Sequence, residues 1–114
     1  MTTPAMTSNE MLSTYEALSE LTSTMLAAAR QGEWDEVASL EARCRDHIGN
    51  LQQSGPIALD EREQRAKIAI VRAILQNDAR IRALAEPRLH ELQQRLSHTR
   101  QGQRGMKAYH AHRL

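Results

Sequence analysis

The sequence predicts an all-α fold: an antiparallel three-helix bundle with a long third helix and a short C-terminal fourth helix. Three observations carry this expectation. Good helix formers (Ala, Leu, Arg, Glu and Gln) dominate the 114 residues, Phe is absent, and only five Gly and three Pro occur. Apolar residues recur at three- and four-residue spacing in three successive runs. Helix start and stop signals separate those runs.

The first helix opens at "TSNE", Thr7 to Glu10, which has the form of a capping box. Leu12, Tyr15, Leu18, Thr22, Met25, Leu26 and Ala29 then mark one face, and the run ends near Gln31. Gly32 suits the left-handed position that stops a helix. A second helix begins at once, with Glu33, Asp35 and Glu36 where the helix dipole favours anions. Its stripe is Val37, Leu40, Cys44, Ile48 and Leu51, and "SGP" at 54–56 ends it. So short a connection makes the two helices antiparallel neighbours. Trp34, one of only three aromatic residues, falls at this turn and is expected to seal the end of the hairpin.

"DERE" at 60–63 can cap a third helix, whose pattern runs from about Arg62 to Leu96. At 100° per residue, Val71, Ile74, Ile81, Leu89, Leu92 and Leu96 cluster within about 80°. Ile68 and Leu75 widen the stripe on one side, Ile70 and Leu84 on the other. The total is about 200°, whereas packing on one neighbour needs about 100°. Pro87 is expected to kink this helix. "RQGQRG" at 100–105 reads as a Gly-punctuated linker, and "MKAYHAHRL" after it as a helix too short to stand alone in water. The expected organisation is one helical domain, 1–114, with a bundle at 1–99 and a linker and regulatory helix at 100–114.

Charge divides the chain. Residues 1–61 carry three basic and ten acidic side chains, net −7, and residues 62–114 carry twelve and four, net +8. Opposite halves attract inside one bundle. A basic tail can also seek an acidic partner, so a basic-tailed helical nucleic-acid-binding or adaptor protein is the alternative reading. No aromatic-plus-basic platform accompanies the charge, and direct nucleic-acid binding is not expected. Cys44 is the single cysteine, which excludes an intramolecular disulfide. The N-terminus lacks a signal-peptide pattern, and no apolar stretch approaches ~20 residues, so a cytoplasmic protein with no membrane span is expected.

Catalytic signals are missing. "HELQQ" at 90–94 has Gln where a zinc-binding HExxH needs a second His, and His110 and His112 fall on different sides of a helix. Cys44 lies on an apolar stripe without a paired base. Arg72, Arg80, Arg82 and Arg88 fall mostly on a solvated face and define no pocket. Neither an enzyme nor a metal or cofactor site is expected. Asp78 falls on the apolar side of the third helix, where a carboxylate needs a partner that fixes register.

Three segments resemble the FliT family of flagellar export chaperones. "RQGEWD" (30–35) is similar to the family's first turn. "LQNDARIRAL" with "PRLHEL" (75–92) is similar to its third helix, apart from Pro87, where some members have Gln. "KAYHAHR" (107–113) is similar to its end, where an Ala-Tyr pair sits on a short fourth helix. The resemblance implies a type III export chaperone that binds the filament-cap protein and delivers it to the export ATPase and its associated general chaperone. It also implies a possible second partner, the flagellar master transcriptional activator. The wide stripe then supplies a client groove at Leu51, Ile68, Val71 and Leu75. Met106, Ala108 and Tyr109 form the autoinhibitory cover implied by the resemblance. A homodimer stays open.

Overall fold

In the computed structural model the backbone is described for residues 6–110 and the side chains for residues 6–98. The described chain is three helices: α1 (Ser8–Arg30), α2 (Trp34–Ser54) and α3 (Glu61–His110). It divides after Arg82 into two units. The first holds α1, α2 and the start of α3; the second holds the remainder of α3.

Four of the helix ends have a local cause. At α1, the Glu10 N–H donates to Thr7 Oγ1 (3.1 Å) and the Thr7 N–H to Glu10 Oε1 (3.3 Å), so the capping box is complete. Gly32, at φ 75°, ends the helix. Its N–H donates to the Ala29 carbonyl (3.0 Å) and the Glu33 N–H to the Ala28 carbonyl (2.9 Å), the paired bonds of a Schellman motif. Gly55, at φ 73°, ends α2. A second reciprocal pair starts α3: the Glu63 N–H donates to Asp60 Oδ1 (2.7 Å) and the Asp60 N–H to Glu63 Oε1 (3.0 Å).

In the first unit α1 and α2 form an antiparallel hairpin. Leu18, Leu21, Met25 and Leu26 of α1 pack with Val37, Leu40 and Cys44 of α2. The Cys44 thiol lies 3.7 Å from Met25 Sδ. α3 runs parallel to α1, since Lys67 sits over Tyr15 and Asn77 reaches Thr22. Ile81 is its buried contribution to the core, with Ile74 partly buried beside it. Trp34 is partly buried against the same core, so the turn is packed but its indole is not fully enclosed.

One expectation is corrected and another is not shown. Asn77, not Asp78, is the polar residue that meets α1. Its amide donates to the hydroxyls of buried Thr22 and of Ser23, both at 3.1 Å. Asp78 is exposed and pairs with Arg82 one turn on (3.4 Å). Neighbouring helix positions are 100° apart, so either could have been the inward one, and packing on α1 selects the uncharged amide. The linker expected at 100–105 and the separate fourth helix after it are not shown: α3 continues through Gly102 and Gly105 to His110. Each helical Gly costs about 1 kcal/mol against Ala, and the Gln, Arg, Met, Lys and Ala around them favour helix. Pro87 stands inside α3, where the sequence pattern put it. Residues 111–114 lie outside the described part.

Candidate functional site

An open groove of about 380 Å³ lies in the first unit, where all three helices meet. Tyr15 and Leu18 come from α1, Ile48, Leu51 and Gln52 from α2, and Val71 and Ile74 from α3. Each helix presents residues three or four apart, which share a face. Six of the seven lining side chains are apolar or aromatic, and the volume falls in the range of ligand pockets. Ile48 remains 43% exposed, so the groove is open apolar surface rather than closed core.

Of the residues expected in a groove, Leu51 and Val71 line this one and are brought together by it. Ile68 and Leu75 are not in its lining. They stand 44% and 59% exposed, and with Val71 they occupy positions i, i+3 and i+7 of one α3 ridge. Tyr15, Leu18, Ile48 and Ile74 were legible as members of three separate helix stripes, but nothing in one stripe shows where three of them leave a gap. Gln52 carried no signal. Met106, Ala108 and Tyr109 fall in the last turns of α3, and their side chains lie outside the described residues.

Polar chemistry among the described residues is sparse. The Lys67 ammonium lies 5.6 Å from the centre of the Tyr15 ring, within cation–π range. His90 and Glu91, the partial metal motif, each contact the residue one turn on: His90 Nε2 meets Gln94 Nε2 at 3.2 Å, and Arg95 donates to Glu91 at 2.7 Å. No three His, Cys, Asp or Glu side chains converge among the described residues. Burial pushes the Cys44 thiol above its ordinary range; neighbouring Glu41 adds to this and Arg43 opposes it. Such a thiol is a core side chain rather than a nucleophile.

A family model described as flagellar protein FliT matches residues 12–111, nearly the whole chain. The chain belongs to the FliT family. That places it among flagellar export chaperones, a family of binding proteins rather than enzymes. No curated protein and no solved structure matched it. No helix among the described residues is long and apolar enough to cross a membrane.

Proposed function

We propose that this FliT-family chain is a cytoplasmic export chaperone that holds the C-terminal region of the flagellar filament-cap protein in the groove between its three helices. The observation that carries the reading is the open groove at Tyr15, Ile48, Leu51 and Val71, continued by the exposed ridge of Ile68 and Leu75. An amphipathic client helix can lay its apolar side chains there at i, i+3 and i+4 spacing. The chaperone then hands the client to the export ATPase and its associated general chaperone, and the flagellar master transcriptional activator is a further partner. Residues 1–99 carry the client surface. Residues 100–114, with Met106, Ala108 and Tyr109, act as the regulatory segment that competes with partners. The family membership supports the class of function, and the groove supports its location.

Calorimetric titration of the cap protein's C-terminal segment into the full chain tests this. Val71→Ser with Leu51→Ser should weaken binding at least tenfold while the helical circular-dichroism signal persists. A folded double variant with undiminished affinity would place the client elsewhere.

A further inference from the structure

The charge around the groove is one-sided. From Gln64 to Asn77, α3 carries Arg65, Lys67 and Arg72 and no carboxylate, and residues 47–59 of α2 and the following turn carry no Asp, Glu, Lys or Arg at all. At 100° per residue Lys67 falls between Val71 and Ile74, so it belongs to the groove face itself, and Arg72 borders the Ile68/Leu75 ridge. Carboxylates that share this face of α3 are already engaged. Glu63 accepts the Asp60 N–H (3.0 Å), and Asp78 pairs with Arg82 (3.4 Å). On α1, Glu16 and Glu20 lie at least about 100° round the helix from Tyr15 and Leu18. Lys67 therefore meets an aromatic ring, and its ammonium forms no ion pair with a carboxylate among the described residues.

We infer that the groove selects an acidic amphipathic helix, whose apolar side chains fill the space between Tyr15, Leu51 and Val71 and whose carboxylate pairs with Lys67. The inference rests on the reading of the groove as the client site and names the chemistry of its occupant. Apolar filling supplies affinity without discriminating among helices. The ammonium at the lip discriminates, because a cationic partner would set like charges together in a partly desolvated place. Tyr15 lines the groove and the Lys67 ammonium lies over its ring, which puts the positive charge beside the apolar floor.

The test uses the full chain and two designed 18-residue helical peptides with the same leucine face, one flanked by Glu and Gln, the other by Lys and Gln, followed by fluorescence anisotropy. The Glu peptide should bind more tightly. Lys67→Met should weaken it about fivefold, the upper end for a solvent-exposed ion pair, and tighten the Lys peptide by removing the like charge. Lys67→Glu should reverse the preference. Val71→Ser should weaken both peptides, which reports the groove independently of its charge. Equal affinity for the two peptides, or an unmoved Glu peptide in Lys67→Met, alongside a clear loss in Val71→Ser, would overturn the acidic selectivity and leave the groove standing. If Val71→Ser weakens neither peptide, the groove reading fails and this inference with it. Circular dichroism on each variant establishes that the helices remain formed.

Discussion

Ile81→Ala is the sharpest probe of how α3 is held on the hairpin. Ile81 is 7% exposed and packs in the core with residues of α1 and α2, whereas Leu84, one turn further along α3, is 37% exposed. Truncating a buried Ile to Ala costs about 2–5 kcal/mol through lost transfer energy and the cavity left behind. Two features move this site to the low end. It lies at the last buried position among the described residues of α3, so the cavity can partly collapse, and Ala has the better helix propensity by a few tenths of a kcal/mol. The expected loss is about 2 kcal/mol, a large share of the 5–15 kcal/mol typical of a domain. With a urea slope of about 1–2 kcal/mol per molar, the midpoint should fall by about 1–2 M. Leu84→Ala should cost less than about 1 kcal/mol. Far-ultraviolet circular dichroism follows all three helices, and Trp34 fluorescence follows the α1–α2 turn. Coincident transitions would show one cooperative unit. An Ile81→Ala midpoint within error of wild type, or equal to that of Leu84→Ala, would refute the argument that Ile81 fastens α3 to the core.

Trp34→Ala should also destabilise, by about 3 kcal/mol, the lower limit for a buried aromatic, because the indole is only partly buried; dichroism-detected urea melts check this, and unchanged stability with lost cap-protein binding would reassign Trp34 to the client surface. Cys44 gives a pH signature: folding favours its neutral thiol, so its contribution to stability is complete below the ordinary thiol range and falls as pH rises through and above that range. Titration of Ellman's reagent against native and urea-unfolded chain at pH 8 should label the unfolded form fast and the native form slowly, and rapid native labelling would contradict the burial argument.

The helices were legible because their ends are written locally. Thr7 with Glu10, Asp60 with Glu63, and the positive-φ glycines 32 and 55 are short-range devices that a reader of the chain can find. The continuation of α3 beyond Leu96 was not legible. Two glycines in a polar run have the composition of a linker, yet their cost is small enough for a helix of good formers to carry. The exchange of Asp78 for Asn77 as the inward residue is a matter of a single 100° step, which periodicity resolves poorly and the Thr22 and Ser23 hydroxyls decide. The groove was half legible. Val71 was legible in the central stripe of the third helix, whereas the surplus width pointed to Ile68 and Leu75, which stand exposed outside the groove lining. The walls contributed by Tyr15, Leu18 and Ile48 depend on how three stripes converge, which is a tertiary property that no single stripe contains.

Hydrogen exchange on the full chain, with and without the C-terminal segment of the filament-cap protein, tests the chaperone account most directly. Amides open to solvent through local fluctuation should be protected by a helix lying in the groove. The account predicts slowed exchange concentrated at residues 48–52 of α2 and 67–75 of α3, with residues 83–98 little changed. Protection confined to residues 83–98, or a bound complex with no change at the groove, would contradict it.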